Sequence, residues 1–424
     1  MENFTFADPN VRYVTLGCVL LTSSAAVVGC FTLLRKKALL GDALAHSILP
    51  GVCIGFLLAQ EKNPVYLLIG AFVSGWLSVY AIDEITSRTK LKEDTAIGLV
   101  LSVFFGIGIL LLTSIQQQGN ASQSGLDHFL FGKAAALVES DVITFGLVSI
   151  VLILLILLFY KELKLLCFDE KFAQSIGLPI RRLEWMLTSL TVLAVVTGIQ
   201  AVGVVLMASI LITPAAAARY WTNRLGVMIV LAAVFGSIAA FTGTYISFLA
   251  PAMPTGPWMV MVIFTIAIFS FALAPERGML PRWLKQRQNQ RQIAEDNILK
   301  ALFQMGEKEQ SFFAHRELGH IQGHRAIPET SLLKSLKRLK REGYVRRDTQ
   351  GWALTPEGKN HGQRITRLHR LWELYLTEYL RIAPDHVHDD AEMIEHIITP
   401  EIEARLQELL QYPKHDPHKT EIPK

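Results

Sequence analysis

Residues 39–52 read LLGDALAHSILPGV, which sets a carboxylate and an imidazole inside an apolar run that extends from 40 to 60. About 20 such residues cross the ~30 Å of hydrocarbon in a bilayer, so the run predicts a transmembrane helix. Asp42 and His46 are four apart and stack on one face of that helix, a turn from each other. An ionised Asp there costs on the order of 3 kcal/mol, so it must face a cavity and have a partner. Two accounts satisfy that demand. In one, Asp42 caps a helix N-terminus near the interface and hydrogen-bonds a neutral His46. In the other, both side chains reach a single divalent cation.

Outward from this stretch, further apolar runs occur at about 13 to 34, 64 to 83, 96 to 115, 141 to 160, 185 to 212, 226 to 249 and 257 to 274. With 40 to 60 they make about eight crossings, uncertain by one. Basic residues cluster in three of the intervening loops, at Arg35-Lys36-Lys37, at Arg88, Lys90 and Lys92, and at Lys161, Lys164, Lys171, Arg181 and Arg182. The positive-inside rule assigns these loops to the cytoplasm. Eight crossings would leave the basic stretch Arg277 to Arg291 outside, against the same rule. The 28-residue run 185 to 212 holds Gly198 and Gly203, with Pro214 just beyond, and can break into a crossing plus a half-helix. A cytoplasmic C-terminus is therefore expected in preference to the even count.

Composition divides the chain in the same way. Of 424 residues 51% are hydrophobic and only 18% charged, which excludes a disordered chain and an ordinary soluble one. The residues after Pro275 nevertheless carry 25 of the 41 Lys and Arg and 22 of the 37 Asp and Glu, and ten of the twelve histidines follow residue 300. A net charge of +4 decides nothing by itself, since fields come from clusters. Cys18, Cys30, Cys53 and Cys167 are dispersed with no CxxC spacing, so neither a disulfide framework nor a thiolate metal site is expected. The N-terminal MENFTFADPNVRYV lacks a basic n-region, and no cleavable signal peptide is expected. No GxxxxGK[ST] motif occurs, so energy from ATP would need a partner chain.

GDALAHSILPG (41–51), FDEKFAQSIGLPIRRLE (168–184) and VGVVLMASILITPAAAARY (202–220) resemble the signatures of the ABC transporter permeases that import manganese, zinc or iron. The resemblance runs in order from about residue 13 to 275. It implies that Asp42 and His46 line the metal path. It also implies a dimer of permease chains, a cytoplasmic ATPase subunit and an extracellular or periplasmic metal-binding protein. The ATPase would dock on the loop Phe168 to Pro179, with Phe168, Asp169, Ala173 and Gly177 as its marked positions, and on Ala215 to Arg224. Read from the residues alone, that loop is a solvated turn with a short amphipathic helix.

After the basic stretch LKQRQNQRQ (284–292), apolar residues recur at short helical spacing, as in Ile298, Leu302 and Met305. In IPETSLLKSLKRLKREGYVRRDTQGWALTPEG (327–358), Leu332, Leu333, Leu336 and Leu339 form a stripe, with Lys334, Lys337, Arg338 and Arg341 opposite. Gly343 stops that helix, and YVRR-DTQG-WALT reads as two short strands around a turn. This is a winged helix-turn-helix, whose basic helix can enter a major groove while Arg346 and Arg347 touch phosphates. A solvated basic face and attraction to an anionic leaflet are the competing accounts. Farther on, His369 and Glu373 are four apart, and His388, Glu392, Glu395 and His396 form a second cluster with helical spacing. Imidazole and carboxylate without Cys suit manganese or ferrous iron and still permit zinc, while solvated helix faces with Glu–His hydrogen bonds give the same spacing.

Residues 292 to 411 resemble the diphtheria toxin repressor family of metal-dependent regulators, most clearly in TPEG (355–358), HRLWELYL (369–376) and VHDDAEMIEH (387–396). The resemblance implies a regulatory metal held by Asp296, His369, Glu392, Glu395 and His396, with Glu373 and His388 at an accessory site. Glu392 replaces the Cys of iron-type members, as in manganese-type ones. Leu299 stands where the latter place a second carboxylate, which argues against a two-metal cluster. The expected chain is thus an all-α polytopic membrane protein of about eight to nine transmembrane helices, followed by a cytoplasmic winged helix-turn-helix domain and a helical metal-binding and dimerisation domain. The expected boundaries are 1–280 for the permease, 281–291 for a basic linker, 292–360 for the winged helix, 361–412 for metal sensing and dimerisation, and 413–424 for a flexible tail. Two uses of the C-terminal part are expected: a metal-dependent repressor on operator DNA, or a metal-dependent brake on the transporter without DNA.

Overall fold

A computed structural model describes residues 8–60, 64–117, 132, 134, 137–249, 253–324, 328–383 and 398–423. The chain divides into two units, Met1–Arg282 and Trp283–Lys424.

In the first unit each apolar run becomes a helix, because hydrocarbon offers backbone groups no other partners than their own i→i−4 bonds. The helices are α1 (Pro9–Leu34), α2 (Leu40–Ser47), α3 (Leu49–Ala59), α4 (Pro64–Arg88), α5 (Glu93–Gln117), α6 (Glu139–Leu158), α7 (Tyr160–Phe168), α8 (Glu170–Ser175), α9 (Ile180–Val202), α10 (Val204–Trp221), α11 (Leu225–Leu249) and α12 (Thr255–Leu273). Among the described residues nine stretches are long and apolar enough to cross a membrane, α2 and α3 together making one of them. The single run 185 to 212 becomes two helices, Ile180–Val202 and Val204–Trp221, which brings the expected eight to nine to its upper value among the described residues. Gly203 separates them at φ 91°, a left-handed backbone that a β-carbon would strain.

The crossings alternate between two ends. Arg35, which follows α1, meets Glu170 and Glu184 around α8, and a cleft at that end is lined by Lys37, Glu84, Glu93 and Arg181. At the opposite end Tyr13 donates to Glu139 at 3.1 Å. The three basic loops therefore share one end.

Helix α1 is central and packs on α6, α9, α10 and α11. Hydroxyls hold it where apolar attraction between helices is weak in lipid: Ser24 and Ser149 are 3.0 Å apart, and Thr22 Oγ1 donates to the Gly236 carbonyl at 3.1 Å. Gly51 and Gly55 of α3 form a GxxxG face on α4. A β-carbon on Gly51 would lie 2.0 Å from the Gly70 carbonyl oxygen. Outward-facing Leu110, Leu158 and Ile268 are more than 60% exposed, as befits a lipid-facing surface.

In the second unit the apolar stripe of α13 (Met279–Lys308) packs with α14 (Leu318–His324) and α15 (Glu329–Arg341). Ile298, Leu302, Ile321, Leu332, Leu336 and Leu339 form the core, closed by Val345, Trp352 and Leu354. Strands β1 (Val345–Asp348) and β2 (Gly351–Leu354) pair antiparallel, Val345 opposite Leu354 and Asp348 opposite Gly351. Arg316 adds a bridge by exchanging both backbone hydrogen bonds with Trp352, at 2.8 and 2.9 Å. Thr355 caps α16 (Pro356–Glu378) by accepting from the Gly358 amide at 3.1 Å. Helix α17 (Pro400–Leu409) lies on α16 through Leu371, Leu374 and Leu406, and Glu403 binds Arg364 and Arg367. This is the winged helix with its helical extension. The expected linker, 281–291, lies within α13.

The α3–α4 contact yields a direct prediction. Gly51→Val forces two backbones apart, at a cost of roughly 1–3 kcal/mol typical of overpacking. The apparent melting temperature of the detergent-purified chain should fall below that of the wild type, and more than for Gly98→Ala, a position whose β-carbon meets nothing within 4 Å.

Candidate functional site: a polar pair in an apolar helix and buried carboxylate–imidazole pairs in the C-terminal unit

Helix α2 ends at Ser47, Ile48 intervenes, and α3 resumes at Leu49. Pro50 has no N–H for the His46 carbonyl, so the ladder is interrupted there. Ser74 Oγ of α4 donates to the neighbouring Ser47 carbonyl at 2.6 Å. The short α2 is enclosed by α4, α5, α9 and α10. Asp42 sits in its first turn, behind the N-cap residue Leu39, whose side chain caps nothing. The Asp42 Oδ1 to His46 Nε2 distance is 3.7 Å, too long for a hydrogen bond. Two ligands held about 2.1 Å from one ion stand roughly 3–3.5 Å apart, so a small closure lets both bind it. His46 Nδ1 is buried with no hydrogen-bond partner, and the ring meets Phe105 edge-on at 5.2 Å. Asp42 is half exposed.

At the basic end, Asp169 caps α8 by accepting from the Phe172 amide at 2.9 Å. Ala173 is fully buried and seats the helix, whereas Phe168, Phe172 and Ile176 are each more than 50% exposed. Gly177 turns the chain at φ 83° in open space. Phe172 and Ile176 are not among the positions expected from sequence, although their i,i+4 spacing with Phe168 is a readable signal. Arg35 donates Nη1 to the Leu166 carbonyl at 3.0 Å and to Glu170 at 2.7 Å, and Nη2 to Glu184. A cleft of about 1310 Å³ opens beside this network, lined by Trp76, Tyr80 and Trp185 among others.

In the second unit Asp296 is 7% exposed and accepts from or donates to His361 Nε2 across 3.1 Å according to the tautomer and protonation state. His361 was not expected; no local spacing links it to Asp296, 65 residues away. His369 Nε2 lies 3.1 Å from Glu373 Oε1, both side chains 3% exposed. Glu392, Glu395, His396 and His388 lie outside the described residues. Leu299 is buried, its carbonyl packed on Gly362. Among the described residues no three His, Cys, Asp or Glu side chains come together as a metal site. The donors present, buried carboxylate and imidazole, fit a borderline to hard divalent ion. On the winged helix, Lys334, Lys337, Arg341 and Arg346 are exposed. Arg338 is bound to Glu295 at 2.9 Å, and Arg347 stands 5.2 Å over the Trp352 ring.

Comparison with known proteins fits this geometry. Residues 7–274 match the ABC 3 transport family. The chain belongs to that family. Residues 355–424 match the metal-binding and dimerisation domain of iron-dependent repressors. Among relatives, the chain is 42% identical to the manganese transport system membrane protein MntC of Bacillus subtilis over 88% of its own length and 86% of the relative's. It is 43% identical to the zinc transport system membrane protein TroC of Treponema pallidum, over 66% of this chain and 95% of that one. Among solved structures, PsaBC of Streptococcus pneumoniae in complex with Fab aligns at 34% identity and a TM-score of 0.57, covering 65% of this chain and 94% of that one. This ABC 3 family member thus carries a repressor-like segment behind its membrane unit.

Burial pushes the Cys167 thiol, in α7 beside this loop, up to about 11, with Arg35 pulling the other way. Thiolate is the reactive form, so at pH 7.5 maleimide should label Cys167 about a hundredfold more slowly than a free thiol of ordinary pKa. Peptide-resolved mass spectrometry of the folded protein checks this, and the rate should climb as pH rises toward that value.

Proposed function

We propose that this chain is the permease subunit of an ATP-driven importer of divalent metal, manganese before iron or zinc. One observation carries the reading: a carboxylate and an imidazole within 3.7 Å of each other on a short helix just before a proline, inside a membrane bundle of this family. The names of the manganese and zinc relatives support the same substrate class. The chain performs no hydrolysis; with no P-loop in its sequence, that falls to a separate ATPase subunit docked on α8. A second permease chain would complete the path, and an external metal-binding protein would deliver the ion. Nine stretches long and apolar enough to cross among the described residues, and three basic loops at one end, support a multi-pass plasma membrane protein whose N-terminus is outside and whose C-terminal unit is cytoplasmic.

The C-terminal unit is read as the sensor. Metal at Asp296, His369, Glu392, Glu395 and His396, with Glu373 and His388 as the accessory pair, would order the unit. Exposed Lys334, Lys337, Arg341 and Arg346 would then meet operator phosphates. Two of the six expected cations, Arg338 and Arg347, are engaged within the unit. That observation favours a second reading, in which bound metal slows the transporter without DNA.

Two experiments test these readings. With the transporter reconstituted beside its ATPase and external binding protein, Asp42→Ala and His46→Ala should each cut manganese uptake by at least tenfold, since even groups that only orient a ligand cost ~10–100-fold. Uptake at the wild-type rate in both would end the proposed path. For the sensor, the full-length chain in nanodiscs is titrated against DNA from upstream of its own gene at fixed salt, because phosphate contacts make affinity steeply salt-dependent. Manganese-dependent binding that Lys334→Glu with Lys337→Glu weakens roughly tenfold or more supports the repressor. Absence of DNA binding, with transport slowed by manganese on the cytoplasmic face, supports the brake.

A further inference from the structure

Arg35 is the residue through which four helices of the membrane unit are tied together. It is the C-cap of α1, and its backbone is fixed: its amide donates to the Phe31 carbonyl at 2.9 Å, and the Lys36 and Lys37 amides donate to Leu33 and Thr32 at 3.0 Å each. Lys36 closes this cap at φ 61°. The guanidinium is 15% exposed on its side chain and reaches three groups. These are the Leu166 carbonyl in the last turn of α7, Glu170 at the first position of α8, and Glu184 on α9. The planar fork of arginine suits such divided recognition, which a lysine point charge would not reproduce.

The bonds themselves say what they connect. The Leu166 carbonyl has no donor inside α7, which ends at Phe168, so Arg35 satisfies a helix-end orphan. Glu170 adjoins Asp169, the cap of α8, so the guanidinium holds the short exposed helix by its N-terminus. On the other side, Leu40 N–H donates to the Lys37 carbonyl at 3.2 Å and α2 begins there. Asp42 lies seven residues beyond Arg35 in sequence. A loop-stabilising ion pair needs one carboxylate; here two carboxylates from separate helices share one largely buried cation. Removing a partner from such a group costs more than removing an exposed pair, because the remaining charge is left without compensation.

We infer that Arg35 is the positioning residue that carries displacement of α8 to the α1–α2 junction, and so links ATP hydrolysis in the partner to the Asp42–His46 pair. This rests on the reading of α8 as the ATPase-docking helix. Motion of α8 would pull Glu170, Glu184 and the guanidinium as one body. The rigid cap at Arg35–Lys37 would pass it to the start of α2.

The test uses the complete transporter in proteoliposomes and reads manganese ions moved per ATP hydrolysed. Arg35→Gln should still co-purify with the ATPase and hydrolyse ATP, while ions moved per ATP fall by roughly threefold to thirtyfold, the range produced by changes along a coupling network. Arg35→Glu combined with Glu184→Arg should restore part of that ratio, because the swap re-forms the ion pair between α1 and α9. A wild-type ratio in Arg35→Gln overturns the inference. Should Arg35→Gln fail to assemble, Glu170→Gln with Glu184→Gln keeps the guanidinium and its Leu166 bond, and a wild-type ratio there overturns it equally. Phe172→Asp separates the two readings. It should abolish ATPase co-purification, and if co-purification survives, α8 is not the dock, whatever Arg35→Gln does to the ratio.

Discussion

A carboxylate among apolar helices must face protein or water rather than lipid, and the packing around its helix answers to that requirement. Asp42 and His46 lie on a helix of only eight residues, Leu40–Ser47, wrapped by α4, α5, α9 and α10. Enclosure at this density depends on small residues. A β-carbon on Gly41 would lie 3.0 Å from Leu211 of α10, and one on Gly75 of α4 3.0 Å from Val192 of α9. The same economy brings α1 against α10, where Gly29 lies under the Leu211 carbonyl. Leucine or isoleucine at these points would push neighbours outward and open the polar pair to lipid. Pro50 belongs to the same design, since a backbone donor missing at membrane depth is tolerated only inside protein or beside a cavity.

Much of this was legible because hydrocarbon imposes a single rule, about twenty apolar residues per crossing. The choice between eight and nine fell where the rule is silent. The run 185 to 212 is uniformly apolar, and hydropathy cannot tell a long tilted helix from two helices meeting at Gly203. Charge asymmetry signalled the odd count before geometry did, since an even count would have put the basic stretch after Pro275 on the wrong side. The winged helix was readable for another reason: its stripe, its stopping glycine and its two-residue turn are local signals. Asp42 and His46 were readable because four residues make one helical turn.

The rest depends on residues far apart in sequence. Arg35 and its partners are separated by 131 to 149 positions, so no periodicity joins them. His361 reaches Asp296 in the same way, across 65 positions. Phe172 and Ile176 could have been found: apolar residues at i,i+4 in a loop between charged neighbours are a surface waiting for a partner. Lys334 and Arg338, equivalent in the sequence pattern, separate only in three dimensions. One is exposed, and the other is held by Glu295.

One chemical device recurs in both units. A carboxylate and an imidazole stand one helical turn apart at Asp42–His46 and again at His369–Glu373, and burial distinguishes them. The first carboxylate is 51% exposed and 3.7 Å from its imidazole; the second pair is 3% exposed and 3.1 Å apart. A path for ions needs sites strong enough to draw the ion in and weak enough to release it. An exposed, unjoined pair meets that condition, because water can replace either ligand. A sensor needs the opposite, donors fixed before the ion arrives, so that binding free energy is spent on ordering the chain rather than on assembling the site. In the C-terminal unit the imidazole belongs to the regulatory set and the carboxylate to the accessory one, so the same spacing serves two neighbouring sensor sites there and a single transport site in the membrane, and solvent exposure separates the two uses.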